Sequence, residues 1–334
     1  KERLKAINSE LAVLSLKFGD NQLKETNAYK LVIDNKKDLS GLPEGVVAAA
    51  ADAAKEAGME GKWVFTLHNP SIMPFLQYAD NRDLREQIYK AYINRGSNKN
   101  ANNNWDNISK MVSLRAEKAH LLGFPDYASY VIDNNMAKTT DNVYKLCNQI
   151  WEAALPNAKA EAAELQKMIN REGGKFKLAP WDWRYYSEKL KKEKYGLDQT
   201  EISQYFPLEK VREGTFYVAN KLYGITFTQL DNLPLPHPDA IAFEVKDADG
   251  SHIGILYADY FPRASKGSGA WMEAFRPQAG LLNSTPVITN VCNFTKPTGD
   301  TPSLLTFDEA CTLFHEFGHA LHGLLSKCTY PSVA

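Results

Sequence analysis

The chain has 334 residues, enough for one large domain or two ordinary ones with a substantial core. Its 39 Lys and Arg balance 40 Asp and Glu to a formal net charge of −1, and 44% of its residues are hydrophobic, as in an ordinary soluble globular protein. The basic residues are spread among acidic ones rather than gathered on one stripe, which argues against a nucleic-acid surface, and no apolar run approaches the length of a membrane span.

Leu4, Ile7, Leu11, Leu14 and Phe18 recur at helical spacing, and the pattern predicts a helix that continues to about Val32. Pro43 marks a helix start, with an Ala-rich run from Val46 to Ala57 that ends at Gly58. Trp63 to Leu67 reads as a short strand, and helices follow at Ile72–Tyr78 and Asp83–Arg95. GSNKNANNN, Gly96 to Asn104, is the clearest loop. Beyond it Ile108–Leu122, Tyr127–Ile132 and Asp141–Arg171 read as helices, the last broken by Gly173 and Gly174. A helix beginning at Trp181 carries the run KLKKEK, Lys189 to Lys194, read as a solvated face. The aromatic cluster at that helix start is read as packing. A further helix covers Leu208–Leu222.

After Gly224 the pattern changes. Pro234, Pro236 and Pro238 mark an extended connection, and Ile241, Phe243 and Val245 alternate as in a strand. Asp249-Gly250 supplies a hairpin turn into Ile253–Tyr260, and Val287–Cys292 is another strand. The expected fold is therefore mainly α, with a small antiparallel β-sheet just before the last helix. The expected division is a helical region over residues 1–225 and a β-sheet plus terminal helix over residues 226–334.

Cys147, Cys292, Cys311 and Cys328 show no CxxC spacing and no disulfide framework, which fits a reducing, cytoplasmic setting. The chain opens at Lys1, without Met and inside a helical pattern, so it reads as a fragment whose first residues carry no signal for localisation.

The last helix holds the chemistry. Thr306 and Glu309 form an S/T-x-x-E capping box, and FHEFGHALH follows with His315, Glu316 and His319 in an HExxH array. On a helix, residues four apart share a face, so the two imidazoles can grip one zinc ion while Glu316 takes a proton from water without being a ligand. Leu313, Phe314, Phe317, Ala320, Leu321, Leu324 and Leu325 surround the motif and predict a helix buried on most faces. The bland alternative is a core helix whose histidines bond to backbone carbonyls. A catalytic zinc also needs a third protein ligand. His322 shares the face of His315 but lies about 10.5 Å further along the axis, too far to converge on the same metal. Cys311, one turn before His315, fails by the same argument, and Cys328 beyond the helix is the remaining soft donor. Gly267, Gly269 and Ala270 permit close backbone approach. Gly269 and Ala270 are therefore candidate contacts for a peptide lying extended on a sheet edge, with an ordinary glycine loop as the equal alternative.

NFTKPTGDTPSLLTFDEACTLFHEFGHALHGLLS, Asn293 to Ser326, resembles the thimet oligopeptidase and oligopeptidase A family of zinc metallopeptidases. YADNRDLREQIYKAY (Tyr78–Tyr92), LRAEKAHLLGF (Leu114–Phe124) and PWDWRYYSEKLKKEKYGLD (Pro180–Asp198) agree in order. YFPLEKVREGTFYVANKLYGITF (Tyr205–Phe227) and ADYFPRASKGSGAW (Ala258–Trp271) extend the resemblance through nearly the whole chain. EGKWVFTLHNPSIMPFLQYADNR, Glu60 to Arg82, is most similar to the bacterial peptidyl-dipeptidase branch.

The resemblance implies a helical, gluzincin-type body in two lobes around a deep channel that admits short peptides inside the cell, cytoplasmic or periplasmic. It implies a monomer, with no nucleic-acid or membrane partner. It makes His315 and His319 zinc ligands and Glu316 the general base. The third ligand it implies is a glutamate about ten residues past Ala334, and the groups that stabilise the tetrahedral intermediate lie further on. The expected activity is release of C-terminal dipeptides, with oligopeptidase A-type endopeptidase cleavage as the alternative. This chain by itself is expected to be inactive, or a non-catalytic peptide-binding scaffold.

Overall fold

The structure, a computed structural model, describes every residue except 299–301, 331, 333 and 334. Residues 299–301 fall inside the Asn293–Ser326 segment and, like Ala334, lie outside the described residues. The chain divides into two compact units, Lys1–Leu31 with Leu76–Lys194, and Val32–Phe75 with Tyr195–Ala334. The change from helix to strand near residue 226 falls inside the second unit.

In chain order the elements begin with α1 (Glu2–Ala28), β1 (Leu31–Ile33), α2 (Glu44–Glu56), β2 (Trp63–Phe65) and α3 (Asn69–Tyr78). There follow α4 (Arg82–Ile93), α5 (Trp105–Leu121), α6 (Tyr127–Ile132), α7 (Thr140–Arg171), α8 (Pro180–Tyr195), α9 (Gln199–Ser203) and α10 (Leu208–Tyr223). The rest is β3 (Thr226–Leu230), β4 (Ile241–Lys246), β5 (His252–Asp259), β6 (Trp271–Arg276), β7 (Val287–Val291) and α11 (Phe307–Leu324). The predicted helices are present with ends moved by a few residues. One end is corrected. α1 stops at Ala28 because Tyr29 is extended, and Leu31–Ile33 pairs with β2 instead of continuing the helix. Val32 and Ile33 are β-branched and suit a strand better.

In the first unit α1 lies along α5, joined by Asn21 Nδ2 donating to Asn104 Oδ1 (2.9 Å) and Asn107 Nδ2 donating to Leu14 O (3.0 Å). The asparagine-rich loop closes over Glu25 of α1. That carboxylate accepts from Gly96 N (2.5 Å), Asn98 Nδ2 (2.8 Å) and Asn100 Nδ2 (2.6 Å). Leu165, Met168, Ile169 and Tyr186 form a small core between α7 and α8. Asp182 of α8 is fully buried and accepts from Arg82 and from Arg85, whose guanidinium also donates to Ala79 O. Every charge in this buried set is paired and hydrogen-bonded, which makes its burial tolerable. Trp181 packs under the Arg82 and Lys90 cations, so the aromatic cluster is packing. In the basic run, Lys189 pairs with Glu172 (2.5 Å) and Lys194 with Glu164 (2.7 Å) across to α7, both partly exposed and worth little.

The second unit is built on a five-stranded sheet of order β3-β4-β5-β7-β6. β3–β4, β4–β5 and β6–β7 are antiparallel, while β5–β7 is parallel. The expected sheet is thus present, with one parallel pair because β7 inserts between β5 and β6. The Asp249-Gly250 turn closes the β4–β5 hairpin, with Gly250 at φ 84. α10 ends at Gly224 in the left-handed conformation, φ 76. α10 and α11 bring Leu208, Val211, Leu313, Phe317, Ala320 and Leu324 onto Val245, Leu256 and Ile288 of the sheet. Phe216 stacks on Phe227 with ring centroids 4.1 Å apart, and Phe317 meets both at 5.7 Å. A buried phenylalanine from inside the HExxH array therefore ties α11 to the core, worth about 1.5–3 kcal/mol in burial alone.

Candidate metal centre

The local sequence fixes how α11 starts. Thr306 Oγ1 accepts from Glu309 N (3.1 Å), and Glu309 Oε2 accepts from Thr306 N (2.8 Å), a complete capping box. From there the helix turns Ala310, Leu313, Glu316, Phe317, Ala320 and Leu324 to the sheet. His315, His319, His322 and Phe314 are exposed on the adjoining open side of the helix, with His319 about 60° in azimuth from Glu316. The expectation of a helix buried on most faces is corrected here: one face is buried, and the histidine face is open among the described residues.

His315 and His319 are one turn apart with ring centroids at 4.8 Å and planes at 82°. Their Nε2 atoms face each other at 3.2 Å. With metal–nitrogen bonds of about 2.0–2.1 Å, that gap subtends roughly 100° at a shared ion, close to tetrahedral. The donor pair fits a zinc-sized metal. Among the described residues no group of three His, Cys, Asp or Glu comes together to hold one. His322 and Cys311 are exposed and stay outside such a group, as helix geometry requires. Cys328 lies past the helix end, its backbone N–H donating to Gln278 Oε1 (2.7 Å).

Glu316 is 9% exposed, on the face that α11 turns to the sheet. Burial pushes the Cys292 thiol up to about 12, and the nearby Glu316 carboxylate adds to the effect. Cys292 is therefore a packed, inert thiol rather than a donor. Behind it lies a residue that sequence reading did not single out. Lys266 is buried, and its ammonium donates to Asp259 O (2.9 Å), Asp259 Oδ1 (3.0 Å), Phe261 O (2.9 Å) and Cys292 O (2.6 Å). Burial lowers its pKa against the opposing pull of Asp259. Asn293 Nδ2 donates to Gly267 O (3.0 Å) and Gly269 O (2.7 Å). A lone lysine and a lone asparagine carry no periodic signal. Lys266 adjoins a glycine-rich turn in sequence, the one cue it offers, and Asn293, 24 residues past Gly269, has none.

Gly269 has φ 101, a conformation that favours glycine, and Ala270 packs against the core of the unit. The two lead into β6, one of the two outer strands of the sheet, which is largely exposed and packs against α11. Its outer edge is where an extended chain would add.

An HExxH helix with two converging imidazoles outward and its glutamate inward, backed by an open-edged sheet, is the framework of a metallopeptidase. Residues 75–334 match peptidase family M3, and the chain belongs to that family. It is 39% identical over 335 residues to dipeptidyl carboxypeptidase of Escherichia coli K12, covering all of this chain and 49% of that protein. It is 36% identical over 342 residues to oligopeptidase A of the same organism, covering 100% of this chain and 50% of that one. The organellar oligopeptidase A of Arabidopsis thaliana is 37% identical over 346 residues, with 98% and 43% covered. The chain spans about half the length of the curated relatives it matches. No helix among the described residues is long and apolar enough to cross a membrane.

Proposed function

We propose that this chain carries part of the active site of a zinc peptidase that, at the length of its relatives, removes C-terminal dipeptides from short peptides. The observation that supports it most is the 3.2 Å approach of His315 Nε2 to His319 Nε2 on one helical turn, with Glu316 beside them in sequence. His315 and His319 would hold the zinc, with the third ligand supplied from residues beyond Ala334. Bound there, zinc supplies Lewis-acid polarisation and brings the pKa of water toward about 7. Glu316 takes the proton of the attacking water and passes it to the leaving amine. The outer edge of β6, reached through Gly269 and Ala270, holds the substrate backbone extended. The 334-residue chain alone is proposed to be inactive and to work in the cytoplasm only as part of the longer protein, a monomer.

Endopeptidase cleavage is the second reading, favoured by the 36% identity to oligopeptidase A. Both are tested on the full-length protein with short peptides bearing either a free or an amidated C-terminus. Dipeptide products from the free peptide only are expected. Cleavage of both peptides selects the endopeptidase reading. His319→Ala should lose zinc and turnover together, and full turnover in that variant would remove the site assignment.

A further inference from the structure

Asn290 is fully buried, next to the last residue of β7, and neither its Nδ2 nor its Oδ1 meets a hydrogen-bond partner among the described residues. An unpaired buried amide is costly, and native cores rarely keep one without a use. Its direction follows from its neighbours. A Cβ built on Gly323 of α11 would stand 2.7 Å from Ile288 Cδ1 and 3.6 Å from Met272 Cε, so both side chains face that helix. Asn290 shares the face of Ile288, two residues away on β7, and sits directly opposite Met272 of β6. Its amide therefore points at α11.

The level on α11 is also fixed. Gly323 sits over Ile288 near the start of β7, while Ser303, just before α11, donates through Oγ to Thr295 O (2.6 Å), just past the end of β7, so the helix runs antiparallel to β7. Asn290, midway between Ile288 and Cys292, lies under the stretch from Glu316 to Gly323. Ala320, in that stretch, offers only a methyl group. Glu316 is the polar residue that α11 turns toward the sheet there.

We propose that Asn290 is a positioning residue for Glu316, its side-chain amide holding the carboxylate, directly or through one bridging water, in the orientation that serves the histidine pair. This rests on the reading of Glu316 as general base. The amide is neutral, so it steers the carboxylate without competing for the proton. On its own strand the flanking positions of that face are Ile288 and Cys292, an alkyl group and a thiol, neither of which pairs with the amide.

The test has two arms. In the first, Asn290→Leu, Glu316→Gln and the double variant of this chain are unfolded in urea. The two substitutions should be coupled, the double variant departing from the product of the single effects on the unfolding equilibrium by about fivefold or more. Additive effects would overturn the proposal whatever the activity. In the second, the full-length protein carries Asn290→Leu or Asn290→Gln. The leucine variant should keep its zinc content and KM while kcat falls roughly 10- to 100-fold, and glutamine should recover part of that loss. An unchanged kcat in a folded, zinc-loaded Asn290→Leu enzyme would also overturn the proposal. Coupling in the first arm with full turnover in Glu316→Gln would leave the pairing standing and remove the peptidase reading of Glu316.

Discussion

Gly323 of α11 lies so close over Ile288 of β7 that a Cβ built on it would stand 2.7 Å from Ile288 Cδ1 and 3.3 Å from Cγ1. Ile288 is fully buried and has little freedom to retreat. The motif helix and the sheet therefore approach at a distance set by the absence of one methyl group. Alanine at Gly323 gains up to about 1 kcal/mol in helix propensity but overpacks by about 1–3. Gly323→Ala should destabilise the chain by about 1 kcal/mol and Gly323→Val by more. Ile288→Val, which removes the clashing methyl, should cost less in the Gly323→Ala background than in the native one. Urea midpoints of the four chains provide the check.

The capping carboxylate Glu309 has its pKa raised above the ordinary 4.5, first by burial and opposed by its bonds to Thr306. A raised carboxyl pKa means that the folded state holds the proton more tightly than the unfolded state. That contribution to stability is full below the ordinary pKa and is lost as pH rises through the folded one. Glu309→Gln keeps an acceptor for Thr306 N and carries no charge. Relative to the native chain it should be more stable at about pH 7 than at about pH 4, measured by denaturant midpoints. An equal difference at both values would count against a buried charge at this cap.

Thiol labelling should separate the four cysteines. Cys147 and Cys311 are exposed, Cys328 is intermediate, and Cys292 is buried with its pKa pushed up to about 12. At neutral pH a soluble alkylating reagent is expected to modify Cys147 and Cys311 first and to spare Cys292 until the chain unfolds. Early modification of Cys292, located by peptide mapping, would show that α11 does not stay packed on β7.

Glu25 should be the clasp of the asparagine-rich loop. Removing a carboxylate that accepts three hydrogen bonds leaves those donors without their partner, so Glu25→Ala is expected to cost about 2–4 kcal/mol. Hydrogen exchange should accelerate at Gly96 first, since its amide donates to that carboxylate. Unchanged protection at Gly96 would remove Glu25 from this role.

Local rules made much of this structure readable. Thr306 and Glu309 announce the helix start, Gly224 a helix end, Asp249-Gly250 a hairpin, and the four-residue interval of His315 and His319 a shared face. Long-range choices were not readable. Nothing in Val287–Val291 says that it will slip between β5 and β6 and run parallel to one of them. The edge strand Trp271–Arg276 has mostly exposed side chains and no clean alternation, so it gave no strand signal. GSNKNANNN reads as a loop, but its attachment to Glu25 depends on a residue far back in α1. Asn290 sits in an apolar strand pattern, where only the packed structure shows that its amide is stranded. The two imidazoles on one turn and the glutamate beside them in sequence were legible, and the residues packed around them were not.

Lys266 and Asn293 have one further effect. Their hydrogen bonds go to the backbone of Asp259, Phe261, Gly267, Gly269 and Cys292, around both ends of the turn before β6. A glycine-rich turn left to itself would sample many shapes and would have to be ordered by whatever docks beside it. Here that ordering has been done in folding. At the proposed peptide edge of β6, an extended chain would lose its own conformational freedom but would meet a frame already ordered, so selectivity there would rest on fit rather than on adaptation of the loop.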